Sequence, residues 1–301
     1  MIAVAIILNG ISRKKNQFYS SIHPALCQKF NVEVFETQWP GHARELARER
    51  VQHPVDIILA AGGDGTLSQV VNGILDGEPR AKSPDLGLIP LGTGNDFARA
   101  CGITANPGQL ISLLESAARP TDVGRIHCCD GTGKKIASCF INVCSMGMGP
   151  EVVARLEKSN RALGPSLTYF KAIATTFLMH RPRVIRCQTA QWNWNAPVRV
   201  LAIANGKSFG HSLFVAPDAS PDDGMLNSFI AGPLPLWRFL YFLQTIKSAK
   251  KIRHPNIRYH TIDRAEFDAP EPCAIEADGE RIGFLPAEID ILPGKINFLR
   301  P

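Results

Sequence analysis

Residues 55–75, VDIILAAGGDGTLSQVVNGIL, place an apolar run (57–61), a glycine-rich turn (Gly62-Gly63-Asp64-Gly65-Thr66) and a helical pattern (Leu67, Val70, Val71, Ile74) in immediate succession. A strand that runs through a flexible loop into a helix N-terminus makes an anion site. Glycines allow close approach, and unpaired N–H groups with the positive end of the helix dipole face the anion. The aspartate inside the turn is out of keeping, because a carboxylate repels phosphate unless a metal ion or another cation mediates. The combination reads as a site for a metal–nucleotide complex. Many α/β proteins carry such turns with no ligand, and this one is neither G-x-x-x-x-G-K-[ST] nor G-x-G-x-x-G.

Working outward, further strand-like runs fall at 4–8, ending at Asn9-Gly10; at 32–35, followed by Thr37 and a helix from His42; and at 86–90. Strands alternating with helices predict a parallel, doubly wound sheet, with ligands beyond the carboxyl ends of its strands. Asn9, Thr37, the 62–66 turn and the 92–96 turn would gather there. From Asp122 the pattern changes to short runs at 138–143, 183–189, 198–204, 226–230, 273–277 and 287–291. Turn pairs separate them (Asp130-Gly131, Asn205-Gly206, Asp223-Gly224, Asp278-Gly279), which argues for an antiparallel sandwich or barrel. Helical stretches are expected near 150–180 and 234–252. The expected domains are 1–122 and 123–301, and the last strand, near 296–300, is a candidate to return to the first.

The 301 residues carry 33 basic and 27 acidic side chains, a net charge of +6 that suits anionic ligands or an anionic membrane surface. No nucleic-acid motif accompanies it, and no nucleic-acid partner is expected. No apolar run approaches the length of a spanning helix, and MIAVAIILNG reads as a buried first strand rather than a signal peptide. Eight cysteines without a C-x-x-C pair fit reduced thiols in a cytoplasmic protein better than zinc ligands or disulfides.

A second motif, LGLIPLGTGNDFARA at 86–100, joins GGDGT to give a specific pattern. Together they resemble the catalytic domain of diacylglycerol kinases, most closely the stand-alone bacterial YegS/BmrU-like lipid kinases. Further matches are Asn9-Gly10, Asp122-Val123, the N-x-x-S-x-G run 142–147, Gly164-Pro165 with Tyr169, Ala216-Pro217, Asp222-Asp223-Gly224 and Asp278-Gly279-Glu280. The resemblance implies an N-terminal three-layer α/β nucleotide domain and a C-terminal antiparallel β-sandwich, with the active site in the cleft between them. It implies transfer of the γ-phosphoryl of ATP to a lipid hydroxyl, of diacylglycerol, phosphatidylglycerol or a similar acceptor, with Mg2+ required.

By that resemblance the ATP cradle is Gly62, Gly63, Asp64, Gly65, Thr66, Leu67 and Ser68, joined by Thr93, Asn9 and Thr37. Lys14 or Lys15 could reach the phosphates, or be solvated surface. Asp278 matches the aspartate of the family's D-G-E motif and would act as general base; on spacing alone Asp-Gly is a hairpin turn, and both can hold. Asp64, Asp96 and Asp122 are candidates for an acidic group around magnesium, with Asp96 equally able to start a helix. The segment SPDDGML at 220–226 resembles a structural cation site with Asp223, Ser220 and Met225 as ligands, suited to magnesium or calcium; a plain Asp-Gly turn is the alternative.

The stretch 234–253 couples Trp237, Phe239, Leu240, Tyr241, Phe242 and Leu243 with Lys247, Lys250, Lys251 and Arg253, and could lie on an anionic bilayer or pack on a sheet. The stretch 161–183 is a rival gate for lipid. The expected location is cytoplasmic and peripheral at the membrane. Trp192 and Trp194 stand in a presumed edge hairpin, as packing or as a surface for lipid or for a second subunit in a homodimer. An NAD kinase shares GGDGT but expects Asn-Glu in the next glycine turn, where this chain has 92–96 GTGND. A non-catalytic nucleotide or lipid sensor is the other alternative.

Overall fold

A computed structural model describes residues 1–77, 83–159, 164–210 and 212–301, and the chain forms two compact units, Met1–Thr121 with Gly294–Pro301, and Asp122–Pro293.

The first unit opens with β1 (Ala3–Leu8), then short helices α1 (Lys15–Gln17) and α2 (His23–Cys27) joined by a π-helical turn. There follow β2 (Asn31–Glu36), α3 (His42–Arg50), β3 (Ile57–Gly62), α4 (Asp64–Asp76), β4 (Asp85–Pro90), α5 (Asp96–Ala100) and α6 (Pro107–Leu114). β1 pairs in parallel with β2 and with β3, β3 with β4, and the end of the chain's last strand with β4 through Phe298 and Leu86. The spatial order is therefore β2-β1-β3-β4-last, the doubly wound order whose direction reverses between β1 and β3. Every residue of β3 is buried, as a parallel strand covered on both faces requires. Gly73 lets α3 and α4 close on each other, since a methyl there would lie 2.2 Å from the Arg44 carbonyl oxygen. Phe298 is fully buried and packs edge-on against Phe97, ring centroids 5.3 Å apart.

The second unit holds β5 (Arg119–Cys129, entered from the first unit), β6 (Lys135–Phe140), β7 (Val143–Gly147), α7 (Gly149–Glu157), α8 (Pro165–Met179), β8 (Arg183–Gln188) and β9 (Asn193–Val198). It continues with β10 (Val200–Ala204), β11 (Leu226–Ala231), α9 (Leu236–Lys247), β12 (Ile257–Ile262), β13 (Arg264–Asp268), β14 (Ala274–Ala277) and β15 (Glu280–Phe298), whose end belongs to the first unit. One antiparallel ladder runs β12-β11-β10-β7-β14, and β9-β8-β13-β15 forms another, with β5 and β6 paired beside it. Strand alternation sorts the two faces. Leu201, Ile203, Cys144 and Met146 enter the sandwich core with Phe140, Ile185, Phe267 and Ile289. Ala202, Ala204, Val143 and Phe229 face the other way, under Val152, Ile173, Phe177, Leu243 and Ile246 of α7–α9.

Several expectations need correction. The run 138–143 is two strands, because the N–H groups of residues 141–143 turn to the carboxylate of Asp278. The stretch 150–180 is two helices; Gly164 at φ 78° precedes Pro165 at the start of α8. Residues 161–163 of the proposed lipid gate lie outside the described residues. β5, β9, β12 and β13 are additional; charged residues and Pro197 obscure their alternation, and Pro197 is tolerated on β9, which pairs with β8 alone among the described residues. Trp192 stacks on His260 at 4.2 Å and Trp194 lies under Arg258 at 4.9 Å, both packed on the sandwich core. None of the eight cysteines is in a disulfide. No helix among the described residues is long and apolar enough to cross a membrane.

Phe298→Ala should cost the first unit about 3–5 kcal/mol, read as an earlier urea midpoint for that unit's transition.

Candidate nucleotide site and the Asp278 turn

The site in the first unit begins where the strand order reverses. At the end of β1, the Asn9 N–H donates to the Ala61 carbonyl (2.9 Å) and its side-chain Nδ2 donates to Thr66 Oγ1 (3.1 Å). At the end of β2, Thr37 Oγ1 accepts from Gly10 N–H (3.0 Å). Asn9, Thr37 and Thr66 are thus joined around one crevice. α4 starts at Asp64, and its first bond runs from Leu67 N–H to the Gly63 carbonyl at 3.1 Å. The amides of Asp64, Gly65 and Thr66 precede that ladder and form the helix's donor end. The Leu67 side chain is fully buried and that of Ser68 nearly so, so both serve the packing of α4.

The second glycine turn lies directly against the first. The Gly62 carbonyl accepts N–H bonds from Leu91 (2.8 Å) and Gly92 (3.0 Å). A methyl on Gly92 would lie 2.3 Å from the Gly63 Cα, and one on Gly62 2.3 Å from Thr66 Oγ1. No side chain fits at either place. Asn95, left-handed at φ 54°, braces the turn by donating to the Gly92 carbonyl at 2.9 Å, and Thr93 stands exposed. Ser12 ties in the loop after β1, its hydroxyl donating to the Leu91 carbonyl at 3.1 Å.

Asp64, the acid that seemed misplaced, closes this arrangement. Its carboxylate accepts the N–H groups of Asp96 (3.0 Å) and Phe97 (3.1 Å), so it caps α5 from across the two turns. Burial and the neighbouring Asp96 raise its pKa, against those two bonds and the more distant Arg99. Asp96 pairs with Arg99 at 2.6 Å. Lys15 pairs with Glu36, leaving Lys14 as the exposed member of that doublet.

In the second unit, Asp278 (φ 50°) and Gly279 (φ 87°) are the two-residue turn between β14 and β15, with both residues at positive φ as a type I′ hairpin requires. The Asp278 carboxylate accepts three backbone N–H bonds, from Ile141 (2.9 Å), Asn142 (3.0 Å) and Val143 (3.0 Å). Asn142 and Asn205 brace the segment from below, donating to Ser208 and to Ile141 and Asp122 carbonyls. Two residues before Asp278, fully buried Glu276 accepts from Ser145 Oγ (2.5 Å) and from Gly279 N–H (3.1 Å). Desolvation pushes the Glu276 pKa up to about 7, opposed by those two bonds and assisted by Asp278. Nothing in the sequence points to Glu276; the signal was available only as Ser145 in the N-x-x-S-x-G run.

Asp122 belongs to this unit, with its N–H on the Pro221 carbonyl and its carboxylate accepting Gly224 N–H, both at 2.7 Å. It therefore anchors the 220–225 loop. In that loop Asp223 accepts Met225 N–H (3.0 Å) and Ser220 donates to Asp222 (2.5 Å), the bonding of a plain Asp-Gly turn. Among the described residues no group of three acidic, histidine or cysteine side chains converges to hold a metal ion.

Two consequences are measurable. Asp64→Asn replaces one of two accepting oxygens by a donor facing an N–H, and should cost about 1–3 kcal/mol in urea unfolding. Glu276 has a raised pKa when folded, so its contribution is complete below pH 4.5 and is lost as pH rises through about 7. Glutamine can fill the same place without a charge, its Oε1 accepting from Gly279 N–H and its Nε2 donating to a turned Ser145 hydroxyl. Glu276→Gln should therefore remove about 3 kcal/mol of the stability difference between acid and alkaline pH, measured by unfolding at both.

Comparison with known proteins identifies the family. Residues 3–126 match the family model of the diacylglycerol kinase catalytic domain, and residues 142–300 that of the YegS C-terminal NAD kinase beta sandwich-like domain. A Xanthomonas euvesicatoria protein described as "probable lipid kinase YegS-like" is 30% identical, over 98% of this chain and 97% of its own. The diacylglycerol kinase of Bacillus subtilis is 28% identical, over 91% and 89%. The crystal structure of a Bacillus anthracis candidate diacylglycerol kinase superposes with a TM-score of 0.80 at 22% identity, over 99% and 97%, a likeness of fold. The chain therefore belongs to the YegS-like diacylglycerol kinase family of lipid kinases, phosphotransferases with an alcohol acceptor.

Proposed function

We propose that this chain transfers the γ-phosphoryl group of ATP to the hydroxyl of a lipid such as diacylglycerol or phosphatidylglycerol, presented at a membrane surface. The observation that carries the nucleotide half is the pair of glycine turns locked together at the β1/β3 reversal, with the amides of Asp64, Gly65 and Thr66 at the donor end of α4. Those amides meet the phosphates, Thr93 lies against the nucleotide, and Asn9 and Thr37 hold the crevice in shape. Lys14 supplies a mobile positive charge.

Phosphoryl transfer has a loose transition state, so positioning and charge neutralisation do most of the work. Magnesium supplies the neutralisation. The acids beside the cradle are Asp64 and Asp96, and both already hold protein partners. That donor set fits an ion that arrives on the ATP phosphates and keeps most of its waters, rather than a cage built by the protein alone. The 220–225 loop, with Ser220, Asp223 and Met225, is assigned as a secondary site for magnesium or calcium.

Asp278 is assigned as the base that accepts the lipid hydroxyl's proton. Three N–H bonds aim its carboxylate rigidly, which suits a group whose first task is to orient the hydroxyl. Asp278→Asn should lower kcat by about 10²–10⁴ while ATP binding, followed by calorimetry, stays within a few fold. Thermal unfolding of the same variant separates lost chemistry from a loosened turn.

The decisive assay offers radiolabelled ATP with diacylglycerol, phosphatidylglycerol, sphingosine, ceramide, undecaprenol and NAD. Label in one of the lipids supports the assignment. Label in NAD alone, or in nothing, overturns it.

A further inference from the structure

We propose that α8 and α9 form one docking face for an anionic bilayer. The inference deepens the proposed function, on which it rests for the nature of the partner. The two helices are not rival gates, because Phe177 of α8 stacks on Phe239 of α9 with ring centroids 4.1 Å apart. Their inner sides (Ile173, Phe177, Leu243, Ile246) cover the outer face of the sheet. Their outer sides leave Leu167, Phe170 and Leu178 on α8, and Trp237, Leu240 and Tyr241 on α9, open to solvent; Trp237 is 65% exposed and Tyr241 67%. On α8 the positions stand three, eight and eleven residues apart, and on α9 Leu240 and Tyr241 follow Trp237 by three and four, so each set lies along one helix face. Of the fourteen large apolar side chains exposed among the described residues, eight sit on these two helices. Such clustering marks an interaction surface, whereas scattered exposed apolar residues need no explanation.

Charge chooses the occupant. Segments 164–183 and 232–256 contain eight Lys and Arg residues and no Asp or Glu, while the rest of the chain has 25 basic against 27 acidic. The positive excess of the protein is therefore confined to the segments that carry these helices. Neighbouring elements bring Asp218 to Lys251 and Glu151 to His180, which leaves the surplus strongly positive. Pairing this face with that of a second copy would set like charges against each other. An anionic bilayer satisfies both halves, with aromatic and aliphatic side chains in the headgroup boundary and lysines against lipid phosphates.

The test is co-sedimentation with vesicles of phosphatidylcholine, with and without phosphatidylglycerol. Wild type should bind the anionic vesicles and release as salt rises. Trp237→Ser with Tyr241→Ser, and separately Phe170→Ser with Leu178→Ser, should each weaken that binding by at least about tenfold. Lys247→Glu with Lys250→Glu should abolish the preference for phosphatidylglycerol. Because these side chains are exposed, circular dichroism and urea midpoints should not move, nor should transfer to a short-chain acceptor in detergent. Variants that bind vesicles like wild type overturn the proposal, as does a wild-type dimer in sedimentation velocity that the same substitutions dissociate. Loss of vesicle binding in the variants, in a protein that phosphorylates no acceptor, leaves this face standing and refutes the kinase assignment alone.

Discussion

The carboxylate of Asp64 accepts the N–H groups of Asp96 and Phe97, and through those two bonds one glycine turn holds the other. Around it the ends of β1, β3 and β4 and the starts of α4 and α5 have little freedom. Gly63 and Gly92 meet backbone to backbone, with no room for a methyl group, and the Gly62 carbonyl takes two amides from the second turn. Strands β3 and β4 must therefore end level with each other, and α4 and α5 must start from the same floor. Asn9, held to Thr66, then fixes the end of β1 against the same turn. An acid that is awkward beside a phosphate makes sense as the clamp that keeps two phosphate-ready turns together.

The second unit uses the same device with a different carboxylate. Asp278 gathers three consecutive N–H groups at the end of β6 and the start of β7, and this splits what would otherwise be one strand. Directly behind it, Glu276 is a fully buried acid held by Ser145 and the amide of Gly279. Burial favours its neutral form, and the two bonds only partly offset that cost. In both units an aspartate is oriented by backbone amides before any ligand arrives. Such pre-organisation is what a reaction limited by positioning requires.

The centre of the parallel sheet was legible in the sequence because β1, β3 and β4 are buried almost throughout and read as continuous apolar runs, as at 57–61 and 86–90. The helix from His42 was legible by its start, marked by the break after Thr37. The sandwich was harder to read. β12 and β13 carry arginine, histidine and glutamate on their open face, and β9 contains a proline, so alternation alone hides them. The glycine turns announced the crevice, but the partners of the acids could not be read, since a carboxylate's role depends on which amides the fold brings to it. Asp122 is one such case, its carboxylate accepting the amide of Gly224 from a loop 102 residues away in sequence. For Trp192 and Trp194 the sequence leaves packing and surface open, and His260 and Arg258 lying against them shows packing. α8 and α9 looked like alternatives because only three-dimensional packing places Phe177 on Phe239.

The central claim is that the paired turns form the phosphate cradle of this family member. A crystal structure of the protein with magnesium and a non-hydrolysable ATP analogue tests it most directly. The account predicts the phosphate oxygens within hydrogen-bond distance of the amides of Asp64, Gly65 and Thr66, with Asp64 still bonded to Asp96 and Phe97. A nucleotide bound away from the β1/β3 reversal, or an Asp64 that abandons those two amides to take over the metal, would contradict it.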